Sequence, residues 1–99
     1  MRDPKPTRED AERLAIQAVA FIAGDPTLLP RFLAISGIEA ATIRQAAREP
    51  GFLAGVLDFI AAHEPTLMQF AEATGMDPAG VMAARRALPA GDDRYDRST

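Results

Sequence analysis

The chain has 99 residues, the size of one small domain, and 47% of them are apolar, which is enough for a single hydrophobic core. Charged residues make up 25% of the sequence, which argues against a membrane protein and against a wholly disordered chain. The net charge of −3 does not favour nucleic acid or an anionic membrane, and the lack of cysteine excludes disulfides, a thiolate nucleophile and cysteine-built zinc sites.

A helix is predicted near the start of the chain. Residues 1–7 contain two prolines and are expected to form a flexible leader. Thr7 and Asp10 have the spacing of a capping box, which predicts that the first helix begins about Arg8. Apolar residues then recur at the helical period as far as Gly24, where the helix is expected to end.

The next segment predicts two short helices around a tight corner. Asp25-Pro26 is a helix-start signal, but Pro30 interrupts the pattern, so we expect a 3₁₀ turn and then a helix to Ser36. Gly37 predicts the corner, and a third helix is expected over about residues 39–48. Its inward-facing residues are expected to be Ile43, Ala46 and Ala47.

The second half of the chain predicts three more helices. Residues 52–62 are apolar on nearly every side, which places a fourth helix in the centre of the fold. Glu64-Pro65 and Asp77-Pro78 predict the starts of a fifth and a sixth helix, with a corner at Gly75 between them. Residues 89–99 mix charges without periodicity and are expected to be a disordered tail. No segment alternates apolar and polar residues over the length of a strand, so the predicted fold is all-α.

The same patterns bear on the location of the protein. The longest apolar run has 11 residues, far fewer than the roughly 20 that a membrane-spanning helix needs. The amino terminus has charges of both signs and lacks the apolar core of a signal peptide. We therefore predict a cytoplasmic protein without membrane contact.

An internal repeat relates the two halves of the predicted single domain, residues 8–88. Alignment of residues 14–48 with 52–86 leaves only Pro30 and Ala62 unmatched, and 11 of 34 pairs are identical where composition alone would give about three. The alternative explanation is that helix caps and core spacing converge in any alanine-rich bundle. The repeat favours a compact bundle of about six helices, built by internal duplication from two similar three-helix units about a pseudo-two-fold axis.

Each glycine corner also resembles a helix-turn-helix motif. Phe70-Ala71 and Gly75 have the spacing of that motif, and in the first copy Leu33 takes the position of the small residue. In a DNA-binding protein, the following helices would present their arginines to phosphates and bases. These arginines are Arg44, Arg48, Arg85 and Arg86. In the second copy, the three positions that would face the DNA groove lack side chains that can hydrogen bond to bases. They are Ala79, Gly80 and Ala83. DNA binding is therefore the less favoured interpretation.

His63 is the only histidine and the residue to test first for catalysis or metal binding. The sequence supplies no nucleophile, carboxylate pair or further metal ligands at a suitable spacing from it. We expect His63 to interact with the last carbonyls of the fourth helix. Since glycine-rich phosphate loops and Ser-His-Asp signatures are also missing, the sequence predicts neither an enzyme nor a bound cofactor or metal.

Small residues form a stripe along the apolar fourth helix and are the candidate partner-binding surface. The stripe consists of Gly51, Ala54, Gly55, Asp58 and Ala62. Small side chains let another helix approach closely. Asp58 is aligned with Ala20, so the repeat itself does not require the charge. Two interpretations remain open: an internal contact in which Asp58 pairs with Arg44 or Arg48, and a shallow acidic groove that receives a helix or a basic side chain of a partner.

Four motifs together resemble a known family. They are Phe-Ile-Ala-x-Asp-Pro (21–26), Arg-Phe-Leu-x-x-x-Gly (31–37), Pro-x-Phe-Leu-x-x-Val-Leu-Asp-Phe (50–59) and Phe-Ala-x-x-x-Gly-x-x-Pro (70–78). The pattern resembles the domain-of-unknown-function family numbered 3572, small proteins of alphaproteobacteria, over about residues 11–88. The resemblance implies a bacterial protein and suggests a signalling protein as one candidate partner, but it brings no activity or site residue with it.

From these observations we predict an adaptor or regulator that acts through contact with another protein. The alternatives are a helix-turn-helix regulator that binds DNA and a homo-oligomer in which the apolar helices form an obligate interface.

Overall fold

The computed structural model describes residues 7–89, which fold into six α-helices and one 3₁₀ turn. The helices are α1 (Arg8–Ala23), α2 (Leu28–Ser36), α3 (Ile43–Ala46), α4 (Phe52–Ala61), α5 (Glu64–Thr74) and α6 (Pro78–Arg86), and the 3₁₀ turn is Ala40–Thr42. This part of the chain contains no strand, so the predicted all-α class is confirmed. The predicted leader and tail lie outside the described residues, except for Thr7 and Pro89.

α1 begins where the sequence predicts because side chains cap its first turn. The Asp10 amide donates a hydrogen bond to Thr7 Oγ1 at 3.0 Å, and the Thr7 amide donates one to Asp10 Oδ2 at 3.3 Å. This reciprocal pair satisfies two amides, one of which the helix itself leaves without a partner. At the other end, the Gly24 amide donates to the Ala20 carbonyl and closes the helix.

The core lies where α1, α4 and α6 meet. α4 packs against α1, α5 and α6, and α1 also packs against α2. Leu57 and Ile60 of α4 and Val81 of α6 are fully buried there. Burial of a side chain of this kind contributes about 1.5–3 kcal/mol, and the central position of α4 agrees with its apolar composition.

Two glycines form the sharp corners after α2 and α5. Gly37 and Gly75 have φ angles of 76° and 72°, in the left-handed region that other L-residues adopt only at a cost. The Gly37 amide donates to the Leu33 carbonyl at 3.0 Å, and the Gly75 amide donates to the Glu72 carbonyl at 3.3 Å. Both predicted corners are therefore present with the same backbone conformation.

The segment after the first corner differs from its prediction. In place of a continuous helix over residues 39–48, the chain forms the 3₁₀ turn and then α3, which has only four residues. Thr42 has φ −113° and ψ 12°, outside the helical range, and its hydroxyl donates to the Glu39 carbonyl at 3.2 Å. This local hydrogen bond competes with a regular helix. Ile43 faces inward as expected, whereas Ala47 is exposed.

α2 also starts differently, without the expected 3₁₀ turn. Asp25 Oδ1 accepts hydrogen bonds from the amides of Thr27 and Leu28 at 2.8 and 3.0 Å, and the helix begins directly at Leu28. Pro30 is the third residue of the helix, where an amide would have no partner within the helix. Its missing N–H therefore costs no intrahelical hydrogen bond.

The length and composition of the helices bear on whether the chain could cross a membrane. Within residues 7–89, no single helix is both long and apolar enough to do so. α1 and α2 reach that length and composition only as a pair, and the chain bends by 114° between them.

Candidate functional site

An open groove of about 620 Å³ lies between α2 and α4. The lining side chains come from both helices, the corner after α2 and the loop after α4; we call this site the α2–α4 groove. They are Arg31, Phe32, Ile35, Ser36, Ile38, Gly51, Phe52, Gly55, Asp58, Phe59, Ala62 and His63. A volume of this size, with mostly apolar walls and a few polar groups, is typical of a binding site.

Aromatic rings and an exposed isoleucine form the apolar part of the α2–α4 groove. The ring of Phe32 meets the rings of Phe59 and Phe52 edge-on, with centroids 5.3 and 6.2 Å apart. Edge contacts of this kind fix the two helices at one separation. Ile35 on the rim has 67% of its surface exposed and adds its apolar side chain to the open surface of the groove.

The groove reaches down to the backbone of α4 at Gly55. A methyl group added to Gly55 would have no heavy atom within 4 Å outside its own helix surroundings. Gly51, Asp58 and Ala62 lie on the same side of the helix, at spacings of three or four residues from Gly55 or from each other. Four of the five residues of the predicted small-residue stripe therefore line the groove.

The structure does not bring Ala54 to this face. Ala54 is buried in the core, on a side of α4 that is turned away from the groove. On an ideal helix, Ala54 lies roughly 60° from Gly51 and 100° from Gly55, at the edge of the stripe. A rotation of that size is enough to carry it under the neighbouring helices.

Asp58 forms an ion pair, but with a partner that the sequence analysis did not select. Arg85 Nε of α6 donates to Asp58 Oδ1 at 2.6 Å, whereas the predicted partners were Arg44 and Arg48. The side chains of Asp58 and Arg85 are 56% and 27% exposed. This contact links α4 to α6 and compensates the charge of Asp58, so the floor of the groove is not the acidic surface that one interpretation expected.

His63 and Arg31 also line the groove, and their contacts differ. His63 Nδ1 and Thr66 Oγ1 share a hydrogen bond of 2.8 Å, and Thr66 is buried at the start of α5. The side chain of His63 therefore bonds to the first turn of α5, whereas the sequence analysis expected it to interact with the last carbonyls of α4. Arg31 is exposed on the rim and forms no ion pair with any residue among 7–89. Within the same residues, no three His, Asp or Glu side chains are placed to hold a metal ion.

The four arginines proposed for DNA contacts lie in two places, α3 with the turn after it and the end of α6. Arg44 and Arg48 are exposed near α3, which is only about 6 Å long and too short to follow a DNA groove. Arg85 is held by Asp58, which leaves Arg86 on the outer surface of α6. One free arginine on the helix after the second corner is a weak basis for base recognition.

A second, smaller depression lies between α1 and α5, and we call it the α1–α5 recess. It has a volume of about 410 Å³ and is lined by Gln17, Ala20, Phe21, Phe70, Ala73 and Thr74. Each of these six residues is aligned in the repeat with a residue of the α2–α4 groove. The Phe21 and Phe70 rings are 5.3 Å apart and meet edge-on, as do the aligned rings Phe59 and Phe32.

The sequence analysis missed the α2 side of the groove, namely Arg31, Phe32 and Ile35. The helical period shows which residues share one face, but it does not show which helix lies across from them. The repeat contained a usable signal, since Ile35 and Gly55 replace Ala73 and Gln17 of the other copy.

Comparison with known proteins places the chain in one group. The model of the family described as "Protein of unknown function (DUF3572)" matches residues 8–91, which is most of the chain. No curated protein and no solved structure matches the chain.

Proposed function

This chain belongs to the DUF3572 family, as its motifs predicted, and on the geometry of its surface we propose that it is a protein-interaction module that binds an α-helix of a partner protein in the α2–α4 groove. The observation that carries the proposal is the open apolar groove above Gly55, with the exposed Ile35 on its rim. Such a module acts as an adaptor or regulator, because its effect depends on the partner protein that it binds.

A helical partner suits this groove better than an extended peptide. One common mode for extended peptides is the addition of a strand to an exposed sheet edge, and residues 7–89 contain no strand that could accept it. The groove instead runs along α4, whose ten residues span about 15 Å, or nearly three helical turns. Gly51 and Gly55 leave room for a docked helix, whose apolar side chains can contact the phenylalanines of the groove.

The comparison of the two aligned halves supports the proposal. We propose that the chain consists of two similar three-helix units, and the equal ring separations of the two aligned phenylalanine pairs support this duplication. The α1–α5 recess then shows what the fold requires of this surface. Features that only the α2–α4 groove has, such as Gly55 and Ile35, are available for binding.

Site-specific photocrosslinking in the native cell tests the proposal. A photoreactive amino acid replaces Ile35 in one variant and Ile16 in the control, since Ile16 is 59% exposed and lies outside the groove. We expect the probe at Ile35, and not the probe at Ile16, to capture one segment of another protein. A synthetic peptide of that segment should bind the purified protein and become helical, as circular dichroism would show.

Loss of capture in Gly55→Leu would tie the partner to the groove, because the added side chain occupies open space and the helix should still form. Circular dichroism and a melting curve of this variant exclude misfolding as the cause. Identical capture by both probes, or capture that Gly55→Leu leaves unchanged, would overturn the proposal. Capture of a second copy of the chain would replace it with self-association, and a salt-sensitive DNA gel shift lost in Arg44→Gln/Arg48→Gln would replace it with DNA binding.

A further inference from the structure

Three charged or titratable side chains line the α2–α4 groove, and two of them are already engaged. Asp58 is paired with Arg85 at 2.6 Å, and His63 shares a hydrogen bond with Thr66. The remaining one is Arg31, which is exposed and has no ion pair with any of residues 7–89. The uncompensated charge of the groove is therefore positive, although the whole chain carries −3.

We propose that the partner helix carries an acidic side chain, Asp or Glu, that pairs with Arg31 while an adjacent bulky apolar side chain fills the space above Gly55. This inference rests on the proposed function and adds the chemistry of the partner. A guanidinium suits this role because it donates two parallel hydrogen bonds to a carboxylate and its stem packs on apolar surface. Phe32 and Ile35 supply that apolar surface in the same groove.

The net negative charge of the protein opposes this preference only at long range. At physiological ionic strength the Debye length is about 8 Å, so charges beyond that distance act weakly on a docked carboxylate. The guanidinium of Arg31 lies at the groove itself and acts at contact distance. The local cation therefore determines which partner charge is favoured.

The α1–α5 recess provides the matching observation. The residue aligned with Arg31 is Gln69, which has a similar length but no charge. Gln69 does not line the recess, so the fold does not require a cation at this position. A basic partner side chain at an acidic Asp58 was one of the two interpretations that the sequence left open, and the ion pair of Asp58 with Arg85 does not favour it.

A displayed library of 14-residue helical peptides, with charges varied on both flanks of an apolar stripe, tests the inference. The full chain is the bait, and Gly55→Leu is the counter-selection that removes peptides bound elsewhere. We expect enrichment of helices with Asp or Glu beside a bulky apolar residue. Because a single exposed ion pair contributes modestly, an enriched peptide should lose roughly two- to fivefold in affinity for Arg31→Gln.

Matched variants separate the outcomes. Arg44→Gln removes an exposed arginine that does not line the groove and should leave affinity unchanged, while Arg31→Glu should favour the lysine-flanked version of the same peptide. Enrichment without an acidic preference, or a preference that survives Arg31→Gln, would overturn this inference and leave the proposed function standing. No groove-dependent enrichment would overturn both this inference and the proposed function.

Discussion

The α2–α4 groove and the α1–α5 recess contain equivalent aromatic contacts but differ in the other side chains that line them. In each, two phenylalanine rings meet edge-on with centroids 5.3 Å apart, and the paired residues are aligned in the repeat. The groove has a volume of about 620 Å³ and the recess about 410 Å³. The difference comes from side chains on the rim and floor, since the aromatic contact is common to both.

At three aligned positions the two surfaces carry different side chains. Gly55 leaves open space where Gln17 extends a long polar side chain, and Ile35 presents an apolar surface where Ala73 presents little. Asp58, in place of Ala20, binds Arg85 of the neighbouring helix. Under the proposed function, the α2–α4 groove is the binding surface and the α1–α5 recess is the aligned surface without that role. The following predictions test this contrast.

Replacement of the buried ring in each aromatic pair should have the largest effect. Phe70 is 0% exposed and Phe32 is 5% exposed, so Phe70→Ala and Phe32→Ala should each lower the free energy of unfolding by about 3–5 kcal/mol. We expect the larger loss for Phe70→Ala, because the space left by Phe32 opens into the groove and can fill with water. Chemical denaturation followed by circular dichroism measures both values.

If either alanine variant fails to fold, Phe32→Leu and Phe70→Leu provide a milder version of the same comparison. Phe21→Leu and Phe59→Leu are the matched controls, since both rings are half-buried. A larger loss of unfolding free energy at Phe32 than at Phe70 would contradict this expectation. It would mean that the Phe32 ring contributes more to the stability of the core than the Phe70 ring does.

The two corners should respond equally to substitution. Gly37→Ala and Gly75→Ala should each cost about 1–2 kcal/mol, because alanine is strained at positive φ. A methyl group at either position would meet no atom within 4 Å, so backbone strain is the only expected cost. Melting curves of both variants check this prediction, and a clear inequality would show that the two corners differ in more than their φ angles.

Much of this fold could be predicted from local signals in the sequence. The cap formed by Thr7 and Asp10 and the corners at Gly37 and Gly75 were predicted correctly. Each of these features depends only on residues that are close in the chain. The helix over residues 39–48 was wrong because Thr42 offers the Glu39 carbonyl a hydrogen bond that the helical pattern does not reveal. A short segment with weak packing follows such local competition more readily than a buried helix does.

The candidate site was predicted only in part because it depends on contacts between distant residues. The helical period placed Gly55 and Asp58 on one face, and both line the groove. The period could not identify Arg85 as the partner of Asp58, since 27 residues separate them in the chain.

Gly55→Ala should raise stability, in contrast to the corner glycines. The added methyl meets no atom within 4 Å, and alanine in a helix interior is favoured over glycine by about 0.5–1 kcal/mol. Gln17→Gly in the recess should lower the free energy of unfolding by a similar amount, because it introduces the same backbone freedom into α1. Urea denaturation compares the pair, and a destabilised Gly55→Ala would mean that the groove closes around this position.

The smallest expected effect concerns the ion pair that distinguishes the groove side from the recess side. Asp58 is 56% exposed, so a double-mutant cycle of Asp58→Ala and Arg85→Ala should give a coupling energy of only about 0.2–1 kcal/mol. The coupling should decrease further in about 1 M salt, where the Debye length is about 3 Å. Ala20→Asp is the control, since its aligned surroundings offer Ala47 in place of Arg85 and no stabilisation is expected. A coupling of about 3–5 kcal/mol, as for a buried pair, would make Asp58 a requirement of the fold. The shape of the α2–α4 groove would then follow from the packing of α4 against α6. The α1–α5 recess, whose aligned position is Ala20, would no longer be a valid reference for what folding alone requires.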